Sequence, residues 1–127
     1  MTTVLFIGAL YNLAFFLFHL LFWKIFGWKT ELRTLGPINR GVMQILNLRL
    51  MWVFLVFAYV SAFYGHDLVT SGLGRTLLAA IALFWLMRAV EQIVFFGLRS
   101  AVSVGLTIVF LIGAALYFYP LTSAFPF

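Results

Sequence analysis

The chain has 127 residues, 65% of them hydrophobic and 9% charged, with eight basic and three acidic side chains. A soluble domain carries roughly 25% charged residues, so these charges are too few to clothe a water-facing surface. A soluble globule, a disordered chain and a nucleic-acid module are excluded, and the net charge of +5 points to membrane topology instead. The absence of cysteine removes disulfides, thiolate catalysis and Cys-based metal sites.

About 20 apolar residues in a helix cross the hydrocarbon core, and four stretches qualify. The first covers about 3–26 and is closed by Gly27. It has neither a basic n-region nor an A-x-A-like cleavage site and is too long for a signal peptide, so it is expected to stay as a spanning helix. An interfacial loop, 27–37, follows. The second span covers about 38–64, opened by Gly36-Pro37 and closed by Gly65-His66-Asp67; Pro37 suits the first helical turn. The third covers about 72–97, with Thr70 and Ser71 as hydroxyl caps and Gly97 as its stop. The fourth covers about 101–119, ended by Pro120. None shows the two-residue alternation of a barrel strand, and unpaired backbone is costly in lipid. The expected fold is an all-α integral membrane four-helix antiparallel bundle, one transmembrane domain over 1–127. The short last two connections predict that spans two to four are sequential neighbours.

Lys24, Lys29, Arg33 and Arg40 surround the first loop, and Arg99 follows the third span. The opposite side has only Arg75, offset by Asp67. The positive-inside rule therefore puts the basic side in the cytoplasm and both termini outside, with these five basic residues contacting lipid at the inner surface. Trp23 and Trp28 suit an inner aromatic belt, and Tyr64, Tyr117 and Tyr119 an outer one. Within the loop, residues 30–35 are expected to form one or two helical turns, with Leu32, Leu35 and Ile38 towards lipid and Lys29 and Arg33 towards headgroups. A basic anchor without specific recognition is the plainer alternative. No internal repeat is visible.

Three charged residues, Arg49, Arg88 and Glu91, fall inside the spans. Charges there are expensive and usually face the bundle or a cavity. At 1.5 Å per residue, His19 and Glu91 lie roughly 10 and 9 Å from the inner ends of their helices, and Arg49 roughly 12 Å if the second helix emerges near Gly41. Gln44, Asn47, Arg88, Gln92, Ser103 and Thr107 fall in the same half. Residues distant in sequence thus converge on one polar layer in the cytoplasmic leaflet. Arg88, Glu91 and Gln92 share a face flanked by Trp85 and Phe95, and Arg88 and Glu91 are spaced to pair. Arg40, Gln44 and Asn47 share a face of the second span, and Arg49 points the other way. Asn12, Phe16, His19 and Trp23 form a stripe on the first. Two arginines share one carboxylate, leaving a charge that a lipid phosphate, a headgroup or an anionic substrate would balance. Alternatively Arg49 snorkels, Arg88 pairs with Glu91, and the amides tie helices together.

His19 suits an interhelical hydrogen bond or a proton-linked role. Haem would want a second axial ligand, and His66 belongs to the opposite surface, so no cofactor is expected. One His, one Glu and amides make a poor zinc set, and no metal site is expected. No G-x-S-x-G, H-E-x-x-H or P-loop occurs, and no catalytic residue is assigned. Ala58/Ala62, Ser61/Gly65 and Ala101/Gly105, with Gly113, provide small-residue spacing for close helix approach.

Leu35-Gly36-Pro37-Ile38-Asn39-Arg40, Leu73-Gly74-Arg75, and Phe84-Trp85-Leu86-Met87-Arg88 with Gln92 resemble small, uncharacterised bacterial four-span membrane proteins. The resemblance implies a bacterial inner membrane and four helices, and transfers no activity. Small multidrug exporters have the same span count, but their essential carboxylate sits in helix one, where this chain has no acid. The expected function is a non-enzymatic interaction or accessory subunit, or a binder of a lipid-like ligand through the polar layer. The alternatives are a small oligomeric transporter or channel for an anion or proton, and a quinone- or lipid-linked enzyme subunit. Expected partners are the bilayer and a homodimer or larger membrane complex, with no nucleic acid.

Overall fold

Helix is the only regular structure among residues 2–122, which the computed structural model describes. Four long helices carry the architecture: α1 (Thr2–Leu20), α4 (Pro37–Phe63), α6 (Gly72–Phe96) and α7 (Ala101–Thr122). Their 19, 27, 25 and 22 residues correspond to about 28–40 Å at 1.5 Å per residue, enough for a hydrocarbon core of about 30 Å. All four are long and apolar enough to span a membrane. The chain is a small multi-pass membrane protein with an all-α four-helix bundle fold.

The short elements lie at the bundle ends. After α1 the chain turns at Leu21, whose N–H is shared between the Leu17 and Phe18 carbonyls, and resumes as α2 (Phe22–Ile25). The first span is therefore interrupted at Leu21, not one continuous helix to residue 26. Gly27, at φ +61°, turns the chain back into α3 (Trp28–Glu31), and a 3-10 turn (Leu32–Thr34) follows. This reversal folds Trp28 inward against the Phe22 ring, 5.3 Å between centroids, so Trp28 is buried and does not join a lipid-facing belt. Leu32, expected towards lipid, is buried as well. Arg40 holds the turn down, donating from Nε to the Leu32 carbonyl and from Nη2 to the Leu35 carbonyl, both at 3.1 Å. Pro37 occupies the first turn of α4, where its missing N–H costs nothing.

Between α4 and α6 the residues that close the second span open a short helix of their own, α5 (Gly65–Thr70). Ser71 caps α6 as expected: its Oγ accepts from the Gly74 N–H at 2.8 Å and donates to the Asp67 carbonyl at 2.7 Å. Gly74 is needed for this fit, because a Cβ there would lie 2.5 Å from the Leu68 Cα. Pro120 does not end α7, which continues to Thr122. A proline obstructs the carbonyl four residues before it, not the residues that follow. Arg75 Nη2 donates to the Leu121 carbonyl at 2.8 Å and ties this end to α6.

Helix α1 packs on α4 and on α7, and α6 packs on α7. The expectation that the second and third spans are close neighbours fails at the backbone level. Helices α4 and α6 lie side by side without close backbone packing and touch through rings, Phe54 on Trp85 and Phe57 on Phe84. Bulky rings on both sides keep the axes apart. Trp85, 1% exposed, is the hub. It meets Tyr11 and Phe15 of α1, Phe54 of α4, Phe84 of its own helix and Phe110 of α7, at centroid distances of 4.8–5.9 Å. Aromatic pairs at such distances contribute about 0.5–1.5 kcal/mol beyond area burial.

At the end holding Thr2 and Thr122, side chains from three helices meet. Asn12 Nδ2 donates to Tyr117 Oη at 2.7 Å and to the Gly8 carbonyl at 2.9 Å. Tyr117 Oη and Ser61 Oγ share a further bond at 2.6 Å. Tyr117, expected in an outer belt, is fully buried, because its hydroxyl has partners on α1 and α4. Two glycines make room. A Cβ on Gly8 would lie 2.7 Å from Tyr117 Oη, and one on Gly113 would collide with the Tyr11 ring. Each tyrosine thus sits on a glycine of the other helix, and Tyr11 Oη donates to the Val109 carbonyl at 2.8 Å.

Candidate functional site

The opposite end of the bundle carries the basic residues and a cavity. The cavity has a volume of about 350 Å³ and receives side chains from α1, α2, α4, α6 and α7. Its lining follows helical spacing: Phe15, Phe18, His19, Phe22 and Phe26 along the first span, and Trp85, Arg88, Gln92 and Phe96 along α6. Residues four or seven apart share a helix face, so each set forms one inward stripe. Phe54 and Phe110 complete the aromatic wall. Phe26, Phe96, Ser100 and Val102 line the cavity and are exposed, which places its mouth at the basic end. Towards the other end the space stops at Trp85. Beyond it lie buried Leu5, Leu78, Ile81, Ala82 and Ala114 and the Asn12–Tyr117–Ser61 network.

A polar chain lines one side. Arg88 Nη2 donates to Gln92 Oε1 at 3.1 Å, Gln92 Nε2 donates to Ser103 Oγ at 3.0 Å, and Ser103 Oγ donates to the Gly97 carbonyl. Thr107 Oγ1 donates to the Ser103 carbonyl at 2.8 Å. The Arg88 guanidinium carbon sits 4.6 Å over the Phe110 ring centroid, a cation–π arrangement. A guanidinium has five N–H donors, and Gln92 takes one. No other acceptor for Arg88 occurs among the described residues. Burial of an ionised group without full pairing is costly, so this half-buried cation is suited to an incoming anion.

His19 faces the same space. Its Nδ1 lies 2.8 Å from the Phe15 carbonyl; a carbonyl only accepts, so Nδ1 carries the proton. In the neutral ring Nε2 is then an acceptor. The ring stacks on Phe22 at 4.3 Å and leans on Phe54 at 4.9 Å, which fixes its orientation. The indole Nε1 of Trp85 is buried behind the cavity wall and has no hydrogen-bond partner among the described residues. The site therefore offers unused guanidinium donors, hydroxyl and imidazole groups that can accept, and a ring-lined interior.

The residues picked out in the sequence divide into three groups. His19, Arg88 and Gln92 line the cavity together, with Ser103. Asn47 and Gln44 stand behind it. Asn47 Nδ2 donates to the His19 carbonyl at 3.2 Å, satisfying a group that the turn at Leu21 leaves free, and Gln44 Nε2 donates to the Arg40 carbonyl at 3.2 Å. Arg49 and Glu91 are on the outside of the bundle, and the expected Arg88–Glu91 pair is replaced by Arg88–Gln92. Phe95, expected beside the polar face, is exposed too. Of the basic residues expected at the membrane surface, Lys24, Lys29, Arg33 and Arg99 are exposed, and Arg40 is half-buried against the loop carbonyls. The aromatic wall was overlooked in the sequence. Its signal was an unbroken set of Phe residues at three- and four-residue spacing on the same stripe as His19. No family model matches the chain, nor does any curated protein or solved structure.

Proposed function

We propose that the protein binds a single amphipathic, lipid-like anion, with its acidic group on Arg88 and its apolar part among the rings. One observation carries this reading: a half-buried arginine with most of its donors unused opens onto an aromatic cavity of about 350 Å³. Ligand pockets span about 300–1,000 Å³, so this one favours one chain or ring over a two-chain phospholipid. Ser100 at the mouth and the His19 acceptor supply further polar contacts. The cavity does not include Glu91 and ends on Trp85, which favours a binding role over a conducting path.

The proposed setting is a bacterial cytoplasmic membrane, with the basic end in the cytoplasm and both termini outside. Its support is the grouping of Lys24, Lys29, Arg33, Arg40 and Arg99 at one end of the bundle. The ligand would then enter from the inner leaflet.

The test uses a protein in which Trp23, Trp28 and Trp52 are replaced by Phe, leaving Trp85 as the only indole. A fatty acid brominated in mid-chain is added to protein in liposomes, and Trp85 fluorescence is followed. Saturable quenching is expected, competed by unbrominated palmitate. A hydrogen bond to a charged group is worth about 1.5–3 kcal/mol, so Arg88→Gln should weaken binding about 10–100-fold. Quenching that rises linearly with the brominated chain and is unchanged in Arg88→Gln would overturn the proposal.

A further inference from the structure

Arg49 and Glu91 are unexplained by the cavity. Both are exposed on the lipid-facing surface, and neither has a hydrogen-bond or ion-pair partner among the described residues. Arg88, three residues from Glu91, turns instead to Gln92 and Phe110. Intramembrane charges left against lipid are rare and usually find partners.

The two lie at one depth. Phe54 stacks on Trp85 at 5.4 Å, which levels α4 with α6. Arg49 is five residues from Phe54, about 7.5 Å towards the basic end, and Glu91 is six residues from Trp85, about 9 Å towards the same end. They also flank one seam. Glu91 is two turns from Phe84, and Arg49 lies two turns along the four-residue ridge that leads to Phe57; Phe57 and Phe84 meet across the seam, 5.3 Å between centroids. Around Arg49 are exposed Ile45, Trp52 and Val56, and around Glu91 exposed Met87, Val94 and Phe95.

We infer that this seam is the interface with a second copy of the chain, closed by two reciprocal Arg49–Glu91 ion pairs. Two copies inserted in the same orientation, facing each other across a twofold axis along the membrane normal, bring α4 of each against α6 of the other. The axis preserves depth, so each Arg49 meets the other copy's Glu91, and the contact is self-complementary. The apolar neighbours exclude water and lipid headgroups from the pairs. The interface does not depend on the ligand proposal.

The experiment counts subunits by single-molecule photobleaching of fluorescently tagged protein in dilute liposomes. The wild type should be dimeric. Arg49→Glu and Glu91→Arg should each be monomeric, with dissociation weakened at least ten-fold. Mixing the two variants should restore dimers made of one of each, because every cross-pair is then opposite in sign; the double variant R49E/E91R should dimerise with itself. If a reversed charge prevents insertion, Arg49→Gln and Glu91→Gln serve instead, and each should weaken the dimer. A monomeric wild type, or a dimer indifferent to these changes, would overturn the inference. So would recovery of dimers in neither the mixture nor the double variant.

Discussion

Replacing Tyr117 by Phe removes one oxygen and leaves the ring in place. That oxygen joins α7 to Asn12 of α1 at 2.7 Å and to Ser61 of α4 at 2.6 Å. Interhelical hydrogen bonds in membranes average about 0.6 kcal/mol and reach about 1.7. Two such bonds put the loss between about 1.2 and 3.4 kcal/mol, or roughly 8- to 300-fold in the unfolding equilibrium. The upper part of this range is expected, because Tyr117 and Ser61 are both buried and the Ser61 hydroxyl loses its partner on α7. Asn12 keeps its bond to the Gly8 carbonyl, so it is not wholly orphaned. Unfolding would be followed in mixed micelles by titration with a denaturing detergent, with Tyr119→Phe as an exposed control. A cycle of Tyr117→Phe, Ser61→Ala and the double variant should give a coupling of about 0.6–1.7 kcal/mol. A Tyr117→Phe protein as stable as the Tyr119→Phe control would refute the account of how this end of the bundle is held.

The glycines provide a second check. Gly8→Ala and Gly113→Ala drive a methyl into the Tyr117 and Tyr11 rings, so each should destabilise by about 1–3 kcal/mol in the same titration, whereas Gly105→Ala, with nothing within 4 Å of its Cβ, should be neutral or stabilising. For topology, a reporter active only outside the cytoplasm, fused after residue 127, should be active; a reporter active only in the cytoplasm at the same place should be silent, and the reverse result would place the basic end outside.

Much of the architecture was legible along the chain because a bilayer demands little of a sequence beyond length and apolarity. Unpaired backbone is so costly in hydrocarbon that each long apolar run has one option, and caps such as Ser71 and Pro37 act through neighbours in sequence. The polar layer was partly legible for the same reason: a rise of 1.5 Å per residue assigns depth to His19, Arg88 and Gln92 without knowledge of packing. Direction around each helix axis was not. Whether Arg88 turns to Glu91 or to Gln92, whether Tyr117 faces lipid or Asn12, and whether Trp28 joins a belt or the interior all depend on which helix stands opposite. In lipid that choice has no hydrophobic driving force to announce it, since tails and side chains are equally apolar. Ring size, the glycine seats at Gly8 and Gly113, and a few hydrogen bonds decided it. Tertiary structure alone therefore separated the intramembrane charges into Arg88 inside a cavity and Arg49 and Glu91 outside the bundle, which composition had left as one unexplained excess.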